Sequence, residues 1–177
     1  MIFHPTPIAG AFVIELTIFE DDRGFFARVF CEKEFSDHSI AMRTVQANLS
    51  GNHHKGTVRG MHFQSAPAEE KKLVRCIQGS IWDVIIDLRP DSPTYLQHLG
   101  IELSATNRLA LLVPEGCAHG YQALEDGTEA LYLVSAMHSP PHERGVRHDD
   151  PRFGIQWPLP VTSISRKDSS WPDFQTA

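Results

Sequence analysis

Apolar and polar residues alternate with a period of two along most of this chain. The clearest case is Trp82-Asp83-Val84-Ile85-Ile86-Asp87-Leu88, where positions 82, 84, 86 and 88 are all apolar, as a strand with a buried face requires. Residues 11–19 and 24–30 read as a hairpin around the polar turn Glu20-Asp21-Asp22-Arg23, which runs into Gly24. Residues 72–78 and 81–89 form a second hairpin around Gly79-Ser80. Further strands are predicted at 43–48 and 57–64, separated by a loop over 49–56. Others follow at 97–103, 108–113, 118–124 and 129–137. Only 32–38 reads as a short helical turn. Short strands at such intervals predict an all-β fold, a cupin-like antiparallel jelly-roll barrel. No repeat or linker divides the chain, so one domain is expected over 1–177. From Ser139 onward Pro, Asp and Trp dominate. This part is predicted to wrap over the barrel, anchored at Trp157-Pro158 and Trp171-Pro172.

Composition narrows the classes. Of 177 residues, 41% are hydrophobic, enough for a chain of this size to bury roughly 70% of its unfolded surface. Twenty-two acidic against sixteen basic residues leave a net charge of −6, which argues against nucleic acid or a membrane surface as partner. The longest clean apolar run, Leu109-Ala110-Leu111-Leu112-Val113, is far short of the roughly 20 residues of a membrane span. The start, Met1-Ile2-Phe3-His4-Pro5, has no secretion-signal pattern. Cys31, Cys76 and Cys117 are widely spaced and odd in number; a reduced, cytoplasmic protein is expected.

Two segments carry candidate chemistry: Gly56-Thr57-Val58-Arg59-Gly60-Met61-His62-Phe63-Gln64 and Pro114-Glu115-Gly116-Cys117-Ala118-His119-Gly120. Metal-binding cupins bring a His-x-His together with a Pro-x-Gly-x-x-His. Here the first motif reads His62-Phe63-Gln64, and an amide is a poor transition-metal ligand beside imidazole. A weaker set of His62, His119 and Glu69 or Glu70 is the metal-dependent alternative. Without a metal, His62 is a candidate acid or base, since imidazole ordinarily titrates near pH 6.5. Gly60 could support a bulge that turns Arg59 and His62 to the same side. Lys72 opens the next strand, and Tyr132 sits in Ala130-Leu131-Tyr132-Leu133-Val134. Arg23, Arg59 and Lys72 fall near strand ends, with Arg166-Lys167 in the tail. Such cations can grip a diphosphate without a metal.

The chain resembles the dTDP-4-dehydrorhamnose 3,5-epimerase family nearly end to end. The match runs through Asp22-Arg23-Gly24-Phe25-Phe26, Arg59-Gly60-Met61-His62-Phe63-Gln64, Lys72-Leu73-Val74-Arg75 and Asp83-Val84-Ile85-Ile86-Asp87-Leu88-Arg89. It continues through Ser92-Pro93-Thr94, Pro114 to Gly120, Glu143-Arg144-Gly145, Asp150-Pro151, Ile155-Gln156-Trp157-Pro158 and Lys167-Asp168.

The resemblance implies a metal-free, cofactor-independent cupin enzyme. Its substrate would be a nucleotide-diphosphate-linked 4-keto-6-deoxyhexose, inverted at C3, C5 or both, in deoxysugar and O-antigen synthesis. It also implies a homodimer whose N-terminal strands reach the partner's site. By carry-over, His62 paired with Asp168 removes the proton, Lys72 stabilises the enolate oxygen and Tyr132 delivers a proton from the opposite face. Arg23, Arg59 and His119 would hold diphosphate and sugar. Gln46, Asn48, Glu143 and Lys167 would line the site, and Phe19 and Phe26 would pack near the base. Three positions depart from the family pattern. Arg28 replaces an acidic residue, His138 replaces a Tyr that stacks on thymine, and Ala47 stands where Asp is common. These changes lie on the nucleotide side, so a CDP-linked or other nucleotide sugar stays open beside dTDP. The non-enzymatic alternative is a sugar-nucleotide binding module, which would have no need of His62 and Tyr132 together.

Overall fold

In the computed structural model, residues 1–175 are described; Thr176 and Ala177, the end of the expected domain, lie outside them. Two antiparallel sheets pack face to face. The six-stranded sheet runs β1 (Ile2–Pro5), β2 (Phe12–Glu15), β10 (Ala110–Val113), β7 (Lys72–Gln78), β12 (Thr128–Val134), β5 (Gln46–Asn52). The five-stranded sheet runs β13 (Glu143–Gly145), β6 (Val58–Gln64), β11 (Cys117–Ala123), β8 (Ser80–Asp87), β9 (His98–Ser104). This is the expected jelly roll. The helices are short: α1 (Glu32–Asp37) and α2 (Arg166–Ser169). Among the described residues, no helix is long and apolar enough to cross a membrane.

Apolar side chains fill three spaces. Between the sheets lie Ile8, Val74, Ile81, Ile85, Leu111 and their neighbours. On the outer face of the six-stranded sheet, Ile14, Leu73 and Leu112 receive α1 through fully buried Phe35. On the outer face of the five-stranded sheet, Met61, Val84, Ile86 and Ala118 are covered by Phe153, Trp157 and Phe174 from the tail. Strand β8 is thus buried on both faces. Its apolar series Trp82, Val84 and Ile86 packs under the tail, while Ile81 and Ile85 face the inter-sheet core. At its end, Asp87 accepts hydrogen bonds from Arg89 (2.7 Å), Ser92 (2.5 Å) and Thr94 (2.6 Å). Burial opposes its charge, but these partners bring its carboxyl down to about 2. The Asp87–Thr94 motif therefore shapes a loop.

Several predicted elements are corrected. The expected strand over 11–19 breaks at Leu16-Thr17. Its first half joins β1 and β10, and its second half, β3 (Ile18–Asp21), pairs only with β4 (Gly24–Ala27). The 24–30 strand accordingly stops at Ala27, because β3 offers no further partner. The strand expected at 43–48 instead spans Gln46–Asn52, through what reads as a loop, because all seven residues pair with β12. Its buried side is polar, so hydrophobic alternation does not mark it. Strands β1 and β13 had no sequence signal.

Candidate active site

A β-bulge sets the centre of the site. His119 on β11 faces His62 on β6, but Tyr121 faces Arg59, so Gly60 and Met61 together oppose Gly120. Residues three apart on a regular strand point to opposite sides. The extra residue brings Arg59 and His62 into one cavity. Only glycine fits at the bulge: Gly60 has φ +111°, and a Cβ would lie 2.5 Å from the Cα of Gly120.

His62 Nε2 lies 2.7 Å from Asp168 Oδ1. An ionised carboxylate only accepts hydrogen bonds, so Nε2 carries the proton and Nδ1 is left with the lone pair. Asp168 Oδ2 accepts the Gly60 backbone N–H at 3.2 Å, and Ser165 caps α2 by accepting the Asp168 N–H at 3.0 Å. Burial works against the Asp168 charge. The His62 hydrogen bond first, then those of Gly60 and Ser165, prevail and hold its carboxyl below the usual range.

Two compartments meet at His62, Lys72 and Tyr132. One, of about 300 Å³, also contains Arg59, His119, Lys167 and Asp168. The other, of about 390 Å³, adds Gln46, Asn48, His138 and Glu143. His62 comes from the five-stranded sheet and Tyr132 from the six-stranded one, so the two groups approach the space from opposing walls. Burial first, then the neighbouring Tyr121 and Glu70, push the Tyr132 hydroxyl up, which keeps it a proton donor. Lys72 Nζ lies 3.1 Å from Glu70 Oε1 and donates to the His62 carbonyl at 3.3 Å. Arg59 is held by the Asn52 side chain (2.8 Å) and the Gly51 carbonyl (2.8 Å). His119 Nε2 bonds Asp83 Oδ1 at 2.7 Å, inside the barrel wall. Lys167 pairs with Glu143 at 2.5 Å, and His138 stands 3.7 Å from the same carboxylate.

Four expected site residues lie elsewhere on this chain. Arg23, at the β3–β4 turn, is 90% exposed and pairs with Asp21. Phe19, Phe26 and Arg28 line a separate hollow of about 200 Å³ beside Met1 and Glu34. Arg28 pairs with Glu34 at 3.2 Å.

The metal-dependent alternative is not assembled. Both imidazoles spend Nε2 on carboxylates, Glu70 pairs with Lys72, and Glu69 lines other cavities. Among the described residues, no group of three His, Cys, Asp or Glu side chains could hold a metal ion. Those other cavities, of about 590 and 760 Å³, are larger, but of the predicted site residues only Glu69 of the metal alternative lines them.

A sequence model of the family described as dTDP-4-dehydrorhamnose 3,5-epimerase matches residues 5–176. The chain belongs to that family. The dTDP-4-dehydrorhamnose 3,5-epimerase of Sinorhizobium fredii is 44% identical over 175 residues, covering 98% of this chain and 90% of that one. The crystal structure of the Bacillus anthracis epimerase with TDP and PPi bound superposes with a TM-score of 0.94 at 40% identity, covering 97% and 98% of the two chains. A 3'-monoepimerase from Streptomyces bikiniensis, in complex with dTDP-quinovose, superposes with a TM-score of 0.87 at 29% identity, covering 96% and 86%. Like these relatives, this epimerase family member is an enzyme.

Reading the sequence missed Ser50, Tyr121 and Ser165 on the cavity wall. Ser50 Oγ bonds the Tyr121 hydroxyl at 2.7 Å, and Asn52 donates to that hydroxyl at 3.2 Å. A signal existed: Gln46, Asn48, Ser50 and Asn52 form a polar period-two series.

Because the Asp168 carboxyl is depressed in the folded protein, its stabilisation is present above the ordinary carboxylate pKa and fades as pH falls through the lower native value. Urea unfolding should find Asp168→Asn less stable than the parent by about 1–3 kcal/mol near neutrality, with the gap closing below about pH 4. A gap independent of pH would contradict the assignment.

Proposed function

We propose that this enzyme inverts one or both carbons flanking the keto group of a dTDP-linked 4-keto-6-deoxyhexose. The carrying observation is the placement of His62 and Tyr132 on opposing walls around Lys72. The keto group acidifies the neighbouring C–H bonds. His62 Nδ1 takes the proton, and the C–H electron pair becomes the enolate. Lys72 stabilises the developing charge on the keto oxygen. Tyr132 then donates its O–H proton to the other face of the same carbon, and solvent restores both groups. Asp168 fixes the tautomer and stabilises the imidazolium. Neither a metal nor a redox cofactor enters this sequence.

Arg59 and Lys167 supply the cations for a diphosphate on an otherwise acidic protein. TDP and PPi in the Bacillus anthracis relative support that assignment. The free Cys31, Cys76 and Cys117 fit a cytoplasmic setting. Phe19, Arg23, Phe26 and Arg28 act, in this reading, across a homodimer. Phe19 and Phe26 are 63% and 65% exposed on a hairpin that pairs with neither sheet, and they reach the site of a second copy.

Proton NMR in D₂O of 4-keto-6-deoxyglucose linked to dTDP, and separately to CDP, tests the chemistry. Loss of the C3 or C5 signal, reduced about 10²–10⁴-fold in His62→Ala, is expected with the dTDP form. Loss at both carbons assigns a 3,5-epimerase and loss at one a monoepimerase. Tight binding without exchange would favour the binding module instead. For the dimer, co-expressed Arg23→Ala and His62→Ala chains should recover about a quarter of parental activity by random pairing, although each alone is impaired. Absence of recovery would place the hairpin outside the partner's site.

A further inference from the structure

We propose that Gln122 and Asp150 form a two-ended latch that positions Asp168 against His62. This rests on the reading of His62 as the base. Asp168 sits in a helix of four residues, too short to persist without anchors, so the tail on either side must hold it.

Upstream, the Gln122 side chain on β11 is fully buried. Its Nε2–H donates to the Leu159 carbonyl at 2.8 Å, and its Oε1 accepts the Leu159 N–H at 2.9 Å. One amide thus grips both backbone groups of one tail residue. Downstream, Asp150 is 3% exposed. Its Oδ2 accepts the Phe174 N–H at 2.6 Å, and its Oδ1 accepts the Arg152 N–H at 2.9 Å. Buried polar groups of this kind are costly unless paired, and here tail backbone supplies partners for both. Apolar contacts reinforce the downstream end. Phe174 packs on Phe153, and the Trp171 ring lies where a Cβ on Gly145 would sit, 2.3 Å away. Neither Gln122 nor Asp150 lines the two compartments, so both act through α2 and are positioning residues.

The test uses Gln122→Met and Asp150→Asn, each alone and combined with Asp168→Asn. Each latch variant should lower kcat about tenfold, with KM changed less than about twofold. Neither should lower kcat further once Asp168 is already Asn, since the effect passes through that carboxylate. Amide hydrogen exchange over residues 165–169 should accelerate about tenfold in each variant, with β8 unchanged. Additive kcat losses, or unchanged protection at 165–169, would overturn the latch. If the parent enzyme catalyses no C–H exchange, the functional reading fails, and the amide exchange still decides the latch by itself. Should Asp150→Asn not fold, Gln122→Met and Trp171→Phe carry the same readouts.

Discussion

The hydrogen bond from His62 to Asp168 joins two residues 106 positions apart, and much of the architecture can be understood as what that bond requires. A strand bulge must turn His62 inward. A glycine must stand at the bulge, where a Cβ would strike Gly120, and its N–H then reaches the second carboxylate oxygen. The chain must also return across the barrel to deliver the aspartate. The return has its own cause, because β8 and β6 leave Val84, Ile86 and Met61 uncovered on the outer face of their sheet. The tail that buries them carries α2 to the mouth of the cavity. Burial on the outside and the geometry of the cavity on the inside are solved by one segment.

The same economy appears in the electrostatics. A protein of net charge −6 concentrates Arg59, Lys72 and Lys167 around two small compartments and pairs or tethers each of them. Lys72 is held between Glu70 and a backbone carbonyl. Arg59 is fixed by Asn52 and Gly51, and Lys167 by Glu143. Cations restrained in this way lose little conformational freedom on meeting an anionic ligand.

Legibility from sequence followed the physics of burial. Strands β7 and β11, buried on both faces, were plain as short runs between turn residues, and so was the jelly-roll class. Strand β5 was hidden because its inward side chains Gln46, Asn48, Ser50 and Asn52 are polar. They face the site, and an outward Leu49 inverts the pattern. In β8 the alternating residues were evident, but not that they face the tail. The bulge at Gly60 could be read from Arg59-Gly60-Met61-His62. The approach of Asp168 to His62 could not be read from spacing, since no local pattern encodes a contact over such a separation; family resemblance alone suggested it. The hairpin residues Phe19, Arg23, Phe26 and Arg28 match family positions yet lie outside the chain's own cavity. In the proposed homodimer they meet the cavity of a second copy.

The central claim is that two groups on opposing walls handle protons at one carbon. Tyr132→Phe in D₂O tests it most directly, because it removes the proposed donor and leaves His62, Asp168 and Lys72 in place. The account predicts that the substrate still takes up deuterium at the reacting carbon with retained configuration, while inverted product falls by about 10²–10⁴-fold. Inversion at an undiminished rate would contradict the account and assign delivery from the second face to some group other than Tyr132.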